Sequence, residues 1–196
     1  MNNRAVIRIF ISIITCLISY SCYVGKVKEF SSEDLKWFRP YHNTDTLIFH
    51  SERNEFDTII FFKTDTTEYA TRNFQSGYYD TRSMEVSYRL TTGSYHKFVK
   101  IGEDQENERL VLIENTSSRK NTVMEICFLG IIFSGKELQN NVRRVDENVF
   151  FFDGRKATYS RINIKEGITY FIFNTEKGIL EYTDERNVKW RRKGSS

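Results

Sequence analysis

The sequence has little proline, few cysteines and no long apolar run. One proline and ten glycines among 196 residues argue against low-complexity linkers. The apolar run between Arg8 and Ser19, residues 9–18, has ten residues, whereas a membrane-spanning helix needs ~20. A Walker loop, a Gly-x-Ser-x-Gly elbow, Gly-x-Gly-x-x-Gly, Cys-x-x-Cys and His-Glu-x-x-His are all absent. The sequence therefore lacks the usual signatures of nucleotide-binding, hydrolase, thiol-redox and zincin enzymes, and we predict no catalytic residue.

Charge and histidine content give no support for nucleic acid or metal. Without residues 1–21 the chain has 27 basic and 26 acidic residues, because that segment contains Arg4 and Arg8 and no acid. A nearly neutral surface gives no electrostatic reason to expect nucleic acid as a partner. The three histidines lie at unrelated spacings: His42, His50 and His96. We therefore expect surface histidines and predict neither a metal nor another cofactor.

Residues 1–21 have the pattern of a signal peptide, with two arginines, the short apolar run and then small residues. The pair Ser21-Cys22 resembles the lipobox of bacterial lipoproteins, in which the cysteine receives a diacylglycerol and becomes the new N-terminus. Ser19 stands where that motif usually has leucine, and Cys16 is a competing site with a poorer small-residue context. An ordinary cleaved signal with an incidental cysteine and an uncleaved anchor are the alternatives.

This interpretation divides the chain into a lipoprotein signal peptide (1–21), a tether (22–30) and one antiparallel β domain (31–196). Acyl chains on Cys22 would hold the protein at a membrane. Cys127 then has no partner, so we expect no disulfide. Because Cys127 lies in an apolar run, we expect a buried, inert thiol.

The chain predicts an all-β fold, a single antiparallel β-sandwich or flattened barrel of roughly ten strands with one short N-terminal helix. Ser31 and Asp34 resemble a capping box that begins this helix, and Pro40 ends it. Residues 45–49 and 57–61 are near repeats that predict a hairpin.

Further along, residues 64–82 read as a long loop, and 84–91 with 95–101 as a second hairpin. Gly130 predicts a bulge or a break within the apolar stretch 122–133, and a polar loop extends to about residue 146. The pair Asp153-Gly154 predicts a tight hairpin turn. The strands expected after it are 157–164, 168–173, 179–182 and 188–192.

Two segments resemble small envelope lipoproteins of Bacteroidetes, a group with no established activity. They are Trp37, Pro40-Tyr41, Asp45-Thr46-Leu47 and Phe49 near the start, and Gly178 to Tyr182 with Trp190 near the end. The resemblance covers about a third of the chain and implies a β-rich envelope protein. It also favours an outer-membrane lipoprotein facing the periplasm, because no acidic cluster follows the cysteine.

The same resemblance implies O-glycosylation at Asp-Thr followed by an apolar residue or threonine. The matching sites are Thr46, Thr58 and Thr66, and Thr66 is preferred because it is predicted nearest a loop. The alternative is that Asp-Thr followed by an apolar residue simply begins a strand.

Aromatic and arginine residues alternate in the predicted loop and suggest a surface for a ligand or partner: Tyr69, Arg72, Tyr78, Tyr79 and Arg82. The alternative, which we favour, is a loop that packs its own aromatics on the sheet. Residues 189–193 place four cations around Trp190, and we read them as a solvated terminal strand, with contact to anionic lipid as the alternative.

The predicted function is a lipid-anchored, non-enzymatic binding or scaffolding module of the cell envelope. Its expected partners are the membrane, through the N-terminal lipid, and an envelope protein or glycan. Two alternatives stay open: a carrier with an apolar ligand in a barrel cavity, and an enzyme acting on glycan or cell wall. An apolar cavity of several hundred Å³ would favour the carrier, and convergent carboxylates would favour the enzyme.

Overall fold

A computed structural model describes residues 27–42, 44–68, 80–90, 108–117, 122–160 and 168–194. Within these ranges the chain forms twelve strands: β1 Thr44–Ser51, β2 Phe56–Glu68, β3 Thr81–Leu90, β4 Glu108–Thr116, β5 Val123–Phe128, β6 Ile131–Ser134, β7 Arg143–Asp146, β8 Val149–Asp153, β9 Tyr159–Ser160, β10 Ile168–Asn174, β11 Gly178–Asp184 and β12 Lys189–Arg192. Two α-helices accompany them, α1 Ser32–Leu35 and α2 Gly135–Asn140, with short 3₁₀ helices at Lys36–Phe38 and Gly154–Lys156. The all-β expectation is confirmed.

All twelve strands belong to one antiparallel sheet, in the order β7-β8-β10-β11-β12-β1-β2-β3-β4-β5-β6-β9. The sheet curls on itself, because Phe128 of β5 contacts both Phe171 of β10 and Tyr182 of β11. The backbone N–H of Ile168 also donates to the carbonyl of Leu129. The curl brings strands that are distant in the sheet order face to face.

The β1–β2 hairpin shows how the sequence sets the inner face. Leu47, Phe49, Ile59 and Phe61 are buried and alternate with less buried neighbours, as strand geometry requires. Phe49 pairs with residue 57, so the two near-repeats run against each other. The predicted hairpin is confirmed.

Aromatic rings fill the interior of the curl. Phe152 and Phe171 stack with ring centroids 4.4 Å apart, and Tyr182 stacks on Trp190 at 5.8 Å. Phe133 meets Phe152 edge-on at 5.3 Å. Such pairs add about 0.5–1.5 kcal/mol each beyond the burial of their area.

The chain before β1 closes one end of the interior, which we call the helix end. Ser31 accepts the N–H of Asp34, and Asp34 accepts the N–H of Ser31, so the predicted capping box is confirmed. Trp37 and Phe38 follow in the 3₁₀ turn and are buried. The Trp37 ring lies 4.7 Å from that of Phe150 and 5.4 Å from that of Phe173.

The opposite end, which we call the turn end, carries the turns at 52–55, 129–130 and 185–187. Each contains one non-glycine residue with positive φ: Asn54 at 59°, Leu129 at 44° and Asn187 at 59°. Asparagine tolerates this region well. Gly130, at φ 86°, follows Leu129 and completes a two-residue turn between β5 and β6, so the predicted break at Gly130 is confirmed.

The hairpin predicted at Asp153-Gly154 is wrong. The Asp153 side chain accepts the backbone N–H of Arg155 and starts a 3₁₀ helix at Gly154. The chain then leaves β8 near one edge of the sheet and forms β9, which pairs with β6 at the other edge. The predicted strand 157–164 is β9 where the structure describes it, and residues 161–167 lie outside the described part.

Two predicted loops also need correction. Strand β2 continues to Glu68 and pairs with β3 from Thr81, so the ends of the predicted loop 64–82 are strand. The predicted polar loop before residue 146 contains α2 and β7. The arm 95–101 of the second predicted hairpin lies outside the described residues. The predicted strands 168–173, 179–182 and 188–192 correspond to β10, β11 and β12 and are confirmed.

Among the described residues, no helix has the length and apolar character required to cross a bilayer.

Candidate functional site

Arg82 is the member of the predicted aromatic–arginine surface that the structure describes. Its guanidinium bonds the carboxylate of Glu29, lies 3.6 Å from a carboxylate oxygen of Asp65 and sits 5.4 Å from the centre of the Phe30 ring. The structure therefore places Arg82 against the chain that precedes α1. The other four residues, Tyr69, Arg72, Tyr78 and Tyr79, lie outside the described part, as does Cys22.

A second contact holds the same segment. The side-chain amide of Asn115, itself buried, donates to the carbonyl of Lys28 at 2.8 Å. Phe30 is buried beside it. We call this set the N-terminal clamp: Lys28, Glu29 and Phe30 held by Arg82 and Asn115. Part of the predicted tether 22–30 is thus packed on β3 and β4.

A cleft of about 600 Å³ opens beside the clamp at the helix end, lined by Tyr41, His42, Thr44, Lys63, Asp65 and Met84. Strand β2 extends beyond its pairing with β1, and Lys63 and Asp65 continue the inward-facing series that begins at Ile59 and Phe61. The Lys63 ammonium donates to the carbonyl of Phe38 at 3.3 Å. The charged lining of the cleft was predictable from the sequence, because side chains at every second position of a strand share a face, which places Lys63 and Asp65 on the same face as Ile59 and Phe61.

The cleft offers groups of both signs. Asp65 shares Arg82 with Glu29, while the N–H of His42 donates to Asp45 at 2.6 Å. Tyr41 forms the floor, and burial raises the pKa of its phenol well above the usual value, so it stays neutral. This arrangement suits hydrogen bonding to a polar group and supplies no activated nucleophile.

The three predicted glycosylation sites lie within strands. Thr46 is exposed on β1, and Thr58 and Thr66 are partly buried on β2. Thr66 pairs with Ser83 and is therefore inside the ladder. Thr66 therefore lies in strand β2 and not in the predicted loop 64–82, and its modification stays a prediction.

Carboxylates and tyrosines bond in the interior near the turn end. The buried hydroxyl of Tyr182 donates to buried Asp57. Asp184, fully buried, accepts the backbone N–H groups of Arg186 and Val188 and the indole N–H of Trp190. Sequence reasoning assigned no role to these carboxylates, because only the fold brings their partners together.

Arg186 links two of the turns. Its guanidinium reaches Asp184 at 2.7 Å and Glu55 at 3.1 Å. Arg186 neutralises both carboxylates, so we interpret this cluster as a structural link between the two turns and not as a binding site.

Cys127 lines a smaller cleft of about 250 Å³ with Glu108, Arg109, Glu125 and Tyr159 among its neighbours. Burial, followed by the nearby carboxylate of Glu125, raises the pKa of the Cys127 thiol far above its usual value. The thiol donates to Glu125 at 3.2 Å. Cys127 is only partly buried, because it alternates with the buried residues Ile126 and Phe128 of β5, so the predicted burial is wrong. The protonated state still favours the predicted low reactivity.

Within the described ranges, no three His, Cys, Asp or Glu side chains are grouped to hold a metal ion. His42 is exposed and His50 lies edge-on to Phe56 at 4.3 Å, whereas His96 is outside those ranges. In the basic terminal strand, Arg191 and Lys189 contact Glu181, and Trp190 is buried.

No family model, no curated protein and no solved structure matches the chain.

Proposed function

We propose that the protein is a lipid-anchored envelope module, attached through Cys22, that binds or scaffolds a partner without catalysing a reaction. The observation that supports this most directly is the filled interior. Aromatic side chains occupy the space inside the curl, and the helix end is closed by Trp37, Phe38 and Tyr41. The clefts in the described part of the structure therefore open at the surface, where a partner could bind.

The N-terminal clamp adds a spatial argument. Lys28 lies six positions after Cys22, and a fully extended chain of that length reaches about 20 Å. A lipid on Cys22 would therefore keep the helix end within about 20 Å of the bilayer. Strand β2, with 13 residues, is about 43 Å long at ~3.3 Å per residue. The outer face and the turn end would remain available to partners in the periplasm.

The two alternatives have weaker support. An apolar-ligand carrier needs an enclosed apolar space, and inward side chains take up that space in the described part of the sheet. An enzyme needs an activated acid, base or nucleophile. The carboxylates that meet inside the fold, Asp57 and Asp184, serve as acceptors for buried donors.

Mass spectrometry of the N-terminal peptide of native, membrane-extracted protein tests the anchor. We expect a triacylated Cys22, loss of membrane attachment in Cys22→Ser and retention in the matched variant Cys16→Ser. An unmodified Cys22 in membrane-bound protein would overturn the anchor. Affinity purification of the lipidated protein tests the binding role, and turnover of a cell-wall or glycan substrate by the purified protein would refute the non-enzymatic part.

A further inference from the structure

The outer surface of the curled sheet carries a continuous row of aromatic and charged side chains. These side chains face away from the core, because their strand neighbours Phe152, Phe171 and Tyr182 point inward and are fully buried. We call this row the outer stripe, and it comprises six residues on five adjacent strands: Arg143, Phe151, Tyr170, Glu181, Lys189 and Arg191.

Each member of the outer stripe contacts the next. The Arg143 guanidinium lies 4.8 Å from the centre of the Phe151 ring. The rings of Phe151 and Tyr170 are 5.0 Å apart at an interplanar angle of 36°. The hydroxyl of Tyr170 donates to Glu181 at 2.9 Å. These contacts fix the side chains before any partner arrives, which lowers the entropy cost of binding.

The stripe has an excess of positive charge. Glu181 is its one carboxylate, and it accepts from Arg191 at 3.0 Å and lies 3.6 Å from the Lys189 ammonium. Arg143 contacts no carboxylate within the described ranges, and its side chain is exposed. The six residues of the stripe thus carry three cations and one anion, although the chain without residues 1–21 is nearly neutral as a whole.

Shape and composition narrow the class of partner. Five adjacent strands span about 19 Å at ~4.8 Å spacing, the length of a short oligosaccharide. The large apolar side chains that are most exposed in the described structure lie outside the stripe: Ile48, Phe56, Val123, Val145 and Tyr159. The stripe thus lacks the exposed large apolar side chains that insert into bilayers, and its two exposed members are Arg143 and Arg191.

We propose that the outer stripe binds an anionic glycan, a sugar chain that carries carboxylate, sulfate or phosphate groups. The apolar C–H face of a sugar ring packs on the ring of Tyr170, which Phe151 supports from the neighbouring strand β8. The guanidinium forks of Arg143 and Arg191 then take the anionic groups in two-point hydrogen bonds. This inference deepens the proposed binding function and rests on it.

The test uses lipidated full-length protein in detergent, run through native gels that contain polygalacturonate, neutral dextran or polyglutamate. We expect polygalacturonate to retard the protein, dextran to leave it unretarded, and polyglutamate to act at least fivefold more weakly than polygalacturonate. Arg143→Ala and Tyr170→Ala should each weaken the retardation at least fivefold.

Arg144→Ala is the matched control, because it removes the same charge from the same strand. Its guanidinium is directed to the carbonyls of Asp146 and Glu147, so we expect no change. Retardation by polyglutamate equal to that by polygalacturonate would show that binding depends on charge alone and would overturn the proposal. A loss of retardation in Arg144→Ala equal to that in Arg143→Ala would also overturn it. Retention of the unacylated variant Cys22→Ser on anionic phospholipid vesicles, with no retardation by polygalacturonate, would overturn the proposal and assign the stripe to the bilayer.

The acylation of Cys22 is measured on the same sample. An acylated protein that ignores polygalacturonate refutes the glycan site and leaves the anchored binding module standing. A protein without acyl chains that still binds the glycan refutes the anchor alone.

Discussion

The two ends of the curled sheet are held by different forces. At the helix end, Trp37, Phe38 and Tyr41 pack into the interior, and the contacts are mostly between rings. Near the turn end, buried carboxylates accept from buried donors, as Asp184 does from Trp190. Ring packing responds to lost volume, whereas a buried polar network responds to any donor left without an acceptor. Single substitutions at the two ends should therefore lower the free energy of unfolding by different mechanisms, which the following predictions compare.

The largest effect is expected at the helix end, from Trp37→Ala. The change removes a buried indole that contacts Phe150, Phe152 and Phe173, and we expect the free energy of unfolding to fall by about 3–5 kcal/mol. Urea unfolding followed by circular dichroism measures it. The exposed neighbour Arg39, changed to alanine, should shift stability by less than about 0.5 kcal/mol. Equal effects would contradict the ring-packed helix end.

The next effect lies at the turn end, from Asp184→Ala. Three N–H donors and one arm of Arg186 lose their acceptor, and we expect a loss of about 2–4 kcal/mol. Asp153 is the matched control, because it makes the same contacts to Arg155, two residues on. The Arg155 side chain is 80% exposed, so Asp153→Ala should cost far less. A comparable loss of unfolding free energy in Asp184→Ala and Asp153→Ala would show that burial of the network does not determine its contribution to stability.

A smaller effect returns to the helix end, at Gly178. Its φ is 82°, and a Cβ there would lie 2.7 Å from the Tyr41 hydroxyl. Gly178→Ala should cost about 2–3 kcal/mol, from the left-handed backbone and from the clash. Gly194 has φ 81° but no atom within 4 Å of that Cβ, so Gly194→Ala should cost about 1 kcal/mol. Identical shifts in melting temperature for the two variants would show that a clash with Tyr41 does not contribute to the cost of Gly178→Ala.

The smallest effect concerns reactivity and leaves stability unchanged. The raised pKa of Cys127 means that less thiolate is present at any given pH. At pH 8.5 we expect iodoacetamide to alkylate the native protein at least tenfold more slowly than the urea-unfolded chain. Glu125→Gln removes a negative charge beside the sulfur, lowers the pKa and should raise the rate. An unchanged rate in Glu125→Gln would show that access alone protects Cys127.

Local signals predicted the elements whose determinants lie within a few residues. The capping box at Ser31, the β1–β2 repeat and the turn at Gly130 each depend on neighbours in sequence. The pair Asp153-Gly154 carries an equally strong local signal, yet its turn leads across to the far edge of the sheet. The pairing of β9 with β6 decides that path, and no residue near 154 encodes it.

The candidate site was likewise predictable from the sequence only where its determinants are local. Arg82 was visible as one arginine among aromatics, but its partners Glu29 and Asp65 come from distant parts of the sequence. The outer stripe joins five strands that are separated by loops of different length. Residues such as Arg143 and Arg191 become neighbours of one surface only through strand order, which a single sequence does not reveal.

The pairing of β1 with β12 also sets the timing of folding. Phe49 lies opposite Arg192, 143 positions later in the sequence. This pair closes a very long loop, and contacts between residues far apart in sequence form slowly. The β1–β2 hairpin can form locally, whereas the centre of the sheet closes only when β12 reaches β1, and we expect that step to limit the rate of folding.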